Sequence, residues 1–252
     1  MVVAVLVPAA VGQTGWRDER LLGPFVCRAD FSLREVDTLV SHLRQIQQDL
    51  SADLAIPTAK QWIELYLFHD RATYDRYLAR YFPGVPYRRA LYLKTGGQGR
   101  VFAWRGPQFE IDVRHECTHA LLHAALAAVP LWLDEGLAEH YENPPGRRFR
   151  HAPQFSEVVW AARLGRLGGL VPLEAKRRVE EMGPTEYRDA WAWVCFLLYH
   201  SPSTRRHLAE YLADLAQRVP AGPLSSRLQQ SLPDYQHQFQ RFWRAPPEPL
   251  DK

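Results

Sequence analysis

Residues 114–126 have the sequence RHECTHALLHAAL and contain the pattern His-Glu-x-x-His. Apolar residues recur through this stretch at helical spacing, which predicts one helix over residues 107–127. Side chains four positions apart lie above one another on a helix, so the imidazoles of His115 and His119 can converge on one metal ion. Glu116 lies beside this pair and is our candidate general base.

Two histidines leave a catalytic zinc site one protein ligand short, because such sites use three protein ligands and keep the fourth position for water. The downstream segment WLDEGLAEH supplies a candidate third ligand, Glu135. Glu139 follows one helical turn later on the same face. Its carboxylate could accept a hydrogen bond from the second ring nitrogen of a metal-bound histidine, which would fix the orientation of that ring.

Two other interpretations of the motif helix stay open. His123 competes for the place of third ligand, but the drift of about 40° per four residues turns it away from the first two histidines. We therefore expect a rim residue there. Cys117 lies about 200° around the helix from His115 and is expected in the core. The second interpretation is an ordinary amphipathic helix, which would have to bury Glu116 and two imidazoles at a considerable cost in free energy.

The pair HECTH and WLDEGLAEH resembles the gluzincin branch of the zincin peptidases, and in particular the bacterial families described as peptidase MA-like. The resemblance implies a zincin-like fold, one Zn²⁺ ion, Glu135 as third ligand and Glu139 as an orienting carboxylate. The metzincin pattern would need Gly and His at the positions of Leu122 and Ala125, so it does not fit. These families often have a Tyr before a small-Trp segment, and Tyr187 fits that place.

We predict an α+β fold with a small mixed β-sheet and helices in the N-terminal half and a mainly α-helical C-terminal half. The predicted strands are 21–29, 62–68, 90–94 and 100–104, and the predicted helices are 32–50, 70–81, 107–127, 153–167, 184–200, 203–217, 223–232 and 233–243. The predicted division is a remnant signal or flexible start over 1–20, an α/β subdomain over 21–128, a helical subdomain over 129–244 and a flexible tail over 245–252.

The strand before the motif helix has a functional implication. In zincins this strand commonly borders the cleft, so we expect Val101 to Trp104 to form a free sheet edge that pairs with an extended peptide. The alternative is an interior strand without a free edge.

Composition limits the class of protein. The chain has 252 residues, is 46% hydrophobic and carries a net charge of +3. The basic residues are dispersed, which argues against a nucleic-acid partner. Three scattered cysteines predict free, buried thiols rather than a disulfide framework. The apolar run over residues 2–11 is too short to span a bilayer and resembles the remnant of an export signal, which favours a periplasmic or secreted protein over a cytoplasmic one.

These features predict a zinc metallopeptidase that hydrolyses peptide or protein substrates, with Glu116 as general base. Tyr187 is the first candidate to stabilise the oxyanion, with Tyr141 and His151 as alternatives. A Gly-x-Met-Glu-Asn aminopeptidase signature is absent from the sequence, which favours endopeptidase action. The competing hypothesis is a noncatalytic zinc-binding or protein-interaction domain that uses the zincin fold.

Overall fold

The structure, a computed structural model, describes residues 15–59 and 61–247. The apolar run over residues 2–11 lies outside them. The described residues fall into two compact units. One is built from residues up to 45 and from 59 to 124, and the other from 46 to 58 and from 125 onward.

The first unit contains a mixed five-stranded sheet of order β1-β2-β3-β5-β4. The strands are β1 Asp18–Leu22, β2 Phe25–Ala29, β3 Ile63–Phe68, β4 Ala90–Thr95 and β5 Gln98–Trp104. The two outer pairs, β1 with β2 and β4 with β5, are antiparallel, whereas β3 runs parallel to both of its neighbours. The predicted small mixed sheet is therefore confirmed.

Turns with glycine separate the antiparallel strands. The single strand predicted over 21–29 is wrong, because Gly23 has a φ of 64° and reverses the chain between β1 and β2. An apolar run on both sides of the turn conceals this reversal in the sequence. The predicted hairpin over 90–104 is confirmed, with Gly96 and Gly97 at φ 58° and 83°. Positive φ at both central residues is the requirement of a tight two-residue hairpin.

The expectation of a free edge at Val101 to Trp104 is also wrong. The strand β5 that contains these residues pairs with β3 on one side and with β4 on the other. The physical reason is that β3 pairs with the side of β5 that the hairpin with β4 leaves open. Within the described residues, β4 is the edge strand on this side of the sheet.

Three α-helices accompany the sheet: α1 Asp37–Leu54, α2 Arg71–Tyr81 and α3 Phe109–Ala125. The helix predicted from Ser32 starts with a 3-10 turn over Leu33–Val36 before α1. The helix predicted over 70–81 is present as α2, and Asp70 is its N-cap, since its side chain accepts a hydrogen bond of 2.8 Å from the Thr73 N–H. Buried aromatic residues fill the space between α2 and the sheet. They are Tyr66, Phe68, Tyr74, Tyr77, Phe82 and Phe102.

The second unit is helical, as predicted for the back half of the chain. Its helices are α4 Leu131–Tyr141, α5 Phe155–Arg163, α6 Leu170–Glu174, α7 Pro184–Tyr199, α8 Pro202–Ala216, α9 Leu224–Ser231 and α10 Tyr235–Arg244. The short helix α6 and the 3-10 turn Val179–Glu181 were not predicted, because both are shorter than one clear hydrophobic repeat. The core of this unit is aromatic, and the rings of Trp193 and Phe239 stack at 3.8 Å.

Three further observations concern the sequence expectations. Cys27, Cys117 and Cys195 are free and buried, as predicted. Within residues 15–59 and 61–247, no helix has the length and apolar character needed to cross a bilayer. At the predicted tail, the Arg150 guanidinium donates hydrogen bonds to the carbonyl oxygens of Pro246 and Pro247.

Candidate metal centre

The two motif histidines converge on one face of α3. Their Nε2 atoms lie 3.2 Å apart, and the ring planes are inclined by 77°. Two nitrogens bound to the same tetrahedral Zn²⁺ at ordinary bond lengths would be about 3.3 Å apart. The spacing of His115 and His119 is therefore compatible with two ligands of one metal ion.

Contacts inside α3 hold this arrangement. The Thr118 hydroxyl donates a 2.8 Å hydrogen bond to the Arg114 carbonyl, one turn earlier. The buried Arg114 guanidinium pairs with Glu110 at 3.2 Å, again within the helix. Cys117 is buried, as predicted, and burial raises the pKa of its thiol well above the ordinary value. Cys117 therefore lies on the core face of α3, and the two histidines lie on the opposite face.

Glu116 stands next to the histidine pair and is half-buried. Within the described residues its carboxylate has no hydrogen-bond partner at ordinary distance. Its negative charge acts on a neighbouring tyrosine. The pKa of Tyr74 is raised mainly by burial and further by the Glu116 carboxylate. The Tyr74 hydroxyl is itself engaged, because it donates a 2.8 Å hydrogen bond to the Arg88 carbonyl. Glu116 is thus a partly exposed acidic residue beside the histidine pair.

The last turn of α3 is attached to the edge strand β4. The ring of His123 stacks on Tyr92, with centroids 5.6 Å apart and planes inclined by 28°. The Lys94 ammonium donates a 2.5 Å hydrogen bond to the His123 carbonyl and so caps the end of the helix. His123 consequently lies against the sheet edge.

The predicted acidic residues lie on α4 in the second unit. Glu135 is only 7% exposed. Glu139 is half-buried, and one of its carboxylate oxygens accepts a 3.4 Å hydrogen bond from the Gln154 side chain. The four-residue separation puts both carboxylates on the same side of α4. Glu135 and Glu139 therefore lie on one face of α4, as predicted.

The helix α4 packs closely on α7 at Gly136. A Cβ atom on this glycine would lie 2.7 Å from the Ala190 carbonyl oxygen, which is closer than real Cβ atoms come to backbone. Apolar side chains that are fully buried surround the contact. They are Trp132, Leu133, Leu137 and Ala138. The glycine is therefore required by the close approach of the two helices, a role that an isolated glycine inside a helical pattern often has.

A polar contact joins the same two helices at His140, which sequence reasoning did not single out. The imidazole Nδ1 lies 3.7 Å from the Cys195 sulfur, and Nε2 lies 3.3 Å from the Tyr199 hydroxyl. Burial, followed by the charge of Arg148, holds the pKa of His140 well below its ordinary value. The ring is accordingly neutral and has one donor and one acceptor nitrogen.

The three candidates for the oxyanion donor differ in exposure. Tyr187 lies half-buried in the first turn of α7, and His151 is exposed. Tyr141 is fully buried in the second unit, and burial raises its pKa. A side chain without solvent access cannot reach a substrate, so Tyr141 is removed from the set.

Groups of histidine, glutamate and aspartate side chains in the described residues could hold a metal ion. The side chains concerned are His115, His119 and His123 in the first unit and Asp134, Glu135, Glu139 and Glu142 in the second. Neither a protein-family model nor a curated protein matches this chain.

Proposed function

We propose that this chain is a zinc-dependent peptidase of the gluzincin type that cleaves peptide bonds within its substrates. In this proposal His115, His119 and Glu135 hold one Zn²⁺ ion. The observation that carries it is the 3.2 Å separation of the two Nε2 atoms on α3, with Glu116 beside them. The donor set of two histidines and one glutamate is typical of catalytic zinc sites that keep a position for water.

Burial of the third donor supports its assignment. An ionised carboxylate is costly to bury unless it is paired or coordinates a cation. Glu135 is only 7% exposed, and a bound cation would balance the charge of its carboxylate. Structural zinc sites close all four positions with protein ligands, whereas three donors leave one open. The proposed set thus favours a catalytic over a structural metal.

In the proposed reaction the metal and the protein side chains have different roles. Bound zinc would supply Lewis acidity toward the scissile carbonyl and lower the pKa of a water molecule. Glu116 accepts a proton from the attacking water and transfers it to the leaving amine. Glu139, held by Gln154, orients a histidine through its outer ring nitrogen. Tyr187 is the proposed donor to the developing oxyanion, with His151 as the alternative.

The edge strand β4 is the proposed binding surface for an extended substrate. A peptide added to a sheet edge gains main-chain hydrogen bonds with little demand on sequence. Tyr92 on β4 contacts His123 of the motif helix, so this edge lies beside the C-terminal turn of α3. Binding along a sheet edge suits a substrate that continues on both sides of the cleaved bond, which agrees with endopeptidase action.

Metal analysis tests the ligand set. We expect one equivalent of zinc in the purified protein and a strong loss in Glu135→Ala prepared identically. Glu210→Gln, an exposed carboxylate on α8, is the matched control and should retain zinc. Full zinc retention in Glu135→Ala would mean that another residue is the third ligand, and His123 would be tested next. A metal-free parent protein would contradict the proposal.

Peptide hydrolysis tests the general base. Glu116→Gln should keep its zinc and lose activity on a peptide library by about 10³-fold, since it retains the shape but not the basicity of the carboxylate. Retained hydrolysis would remove Glu116 from this role. Stoichiometric zinc without hydrolysis in the parent protein, on any library, would favour the noncatalytic zinc-binding domain instead.

A further inference from the structure

His140 makes polar contacts between α4 and α7. It lies five residues after Glu135 on the same helix and is 2% exposed. Each of its ring nitrogens lies near a side chain of α7, at Cys195 and at Tyr199. Since a neutral imidazole offers one donor and one acceptor, each contact has a direction that a purely apolar contact lacks.

Helix α4 is packed mainly by apolar side chains that are fully buried. Contacts made by Leu133, Leu137 and similar side chains stabilise burial in proportion to area, with little dependence on direction. Gly136 fixes how closely α4 approaches α7, because its backbone lies against the Ala190 carbonyl. The contacts of His140 with Cys195 and Tyr199 add directional constraints on the rotation of α4 about its own axis.

We propose that His140 is a positioning residue for Glu135, acting through helix α4 by its contacts with Cys195 and Tyr199. The inference rests on the proposed function, in which Glu135 is the third zinc ligand. A ligand must be held within about 0.5 Å of its productive position to bind well. A small rotation of α4 would displace the Glu135 carboxylate, whereas the two contacts of His140 oppose that rotation.

The measurement is zinc affinity, by competition with a chromogenic chelator, in the full-length parent and in His140→Phe. Phenylalanine keeps an aromatic ring of similar size but removes both nitrogens. We expect about a 10-fold weaker affinity, the scale found for residues that orient metal ligands. His140→Gln, whose amide can still donate and accept, should recover part of the loss. The melting temperature of each metal-free variant is measured in parallel.

Phe239→Leu is the matched control. Phe239 is fully buried in the same unit and stacks on Trp193 of α7, but it belongs to α10. This substitution should lower the melting temperature while zinc affinity stays at the parent value. If His140→Phe lowers the melting temperature and leaves zinc affinity unchanged, His140 is a structural residue and the inference is overturned, although the proposed function stands. If the parent protein binds no zinc, both are overturned.

Discussion

The helices α3 and α4 carry the proposed ligands, but they are held in position by different kinds of contact. On α3 the contacts that organise the ligand face run between residues one turn apart in the same helix, such as Thr118 with Arg114. On α4 the corresponding contacts cross to α7, more than fifty residues away in sequence, as between His140 and Cys195. Helical periodicity brings the first pair together, whereas tertiary packing positions the helix that carries the glutamate.

This difference explains why the two helices respond differently to substitution. The distance between His115 and His119 follows from the rise and turn of any α-helix. The direction of Glu135 depends on how α4 is rotated and how near it lies to α7. Substitutions outside α3 should therefore leave the histidine pair intact, whereas substitutions at the α4 and α7 contact should disturb zinc binding.

Gly136→Ala should have the largest effect on α4. Alanine is ordinarily the better helix residue by about 0.5–1 kcal/mol, so propensity alone predicts a gain in stability. The added methyl would instead lie 2.7 Å from the Ala190 carbonyl oxygen and force α4 away from α7. We expect a loss of about 3 kcal/mol in the free energy of unfolding, from urea denaturation, together with weaker zinc binding.

Gly169→Ala is the control for that experiment. A Cβ on Gly169 would meet its nearest neighbour at 3.5 Å, an ordinary van der Waals distance. The free energy of unfolding of Gly169→Ala should fall by less than about 1 kcal/mol, because Gly169 is only the N-cap of α6. A stable Gly136→Ala variant with parent zinc affinity would show that α4 tolerates displacement, and the contrast between the two helices would disappear.

The pH dependence of stability should report the His140 contact. Its folded pKa lies well below the ordinary 6.5, so as the pH falls the unfolded chain binds a proton at this residue before the folded protein does. Stability is therefore present above pH 6.5 and is lost below it, by about 1.4 kcal/mol per pH unit until the folded pKa is reached. The groups facing the ring are Arg148, Cys195 and Tyr199.

The measurement is the difference in unfolding free energy between the parent and His140→Gln from pH 7.5 to 5, a range chosen to extend about one unit above and below the ordinary pKa of histidine. The other histidines titrate in both proteins and cancel in the difference. The advantage of the parent should shrink as the pH falls below 6.5. A constant difference over this range would mean that His140 is not held neutral by the fold.

The same contrast separates what the sequence could and could not predict. The motif helix, its histidine pair and the buried Cys117 follow from spacing along one helix, and the structure has them on α3 as predicted. The edge strand was misassigned because strand order depends on pairing between distant segments. A hairpin can be predicted from Gly96-Gly97, but the sequence does not indicate that β3 occupies the other side of β5.

The contacts of His140 could not be predicted from the sequence for a similar reason. A histidine near the end of a helix is ambiguous until its neighbours are known, and the Cys195 and Tyr199 side chains that contact it come from α7. Gly136 did carry a signal, because a glycine inside a helical pattern costs stability unless packing requires it. Joined to the neighbouring Glu135, that signal could have predicted that the helix of the third ligand is packed against another helix.

Lys94→Met should have the smallest effect and bears on α3. The Lys94 ammonium caps the helix by its hydrogen bond to the His123 carbonyl, and methionine keeps the stem without the charge. A cation at a helix C-terminus contributes about 0.3–1 kcal/mol, so we expect a loss of about 0.5 kcal/mol in unfolding free energy. Arg206→Met, on the surface of α8, should change stability by less than about 0.5 kcal/mol.

Zinc affinity is the informative measurement on this variant. The histidine pair is organised by contacts one turn apart, so loosening the last turn of α3 should leave the 3.2 Å separation of its nitrogens and the zinc affinity unchanged. A clear loss of affinity in Lys94→Met would mean that the sheet edge holds the histidines in place. The two helices would then both depend on tertiary contacts, and α3 could not be treated as a ligand face set by its own periodicity.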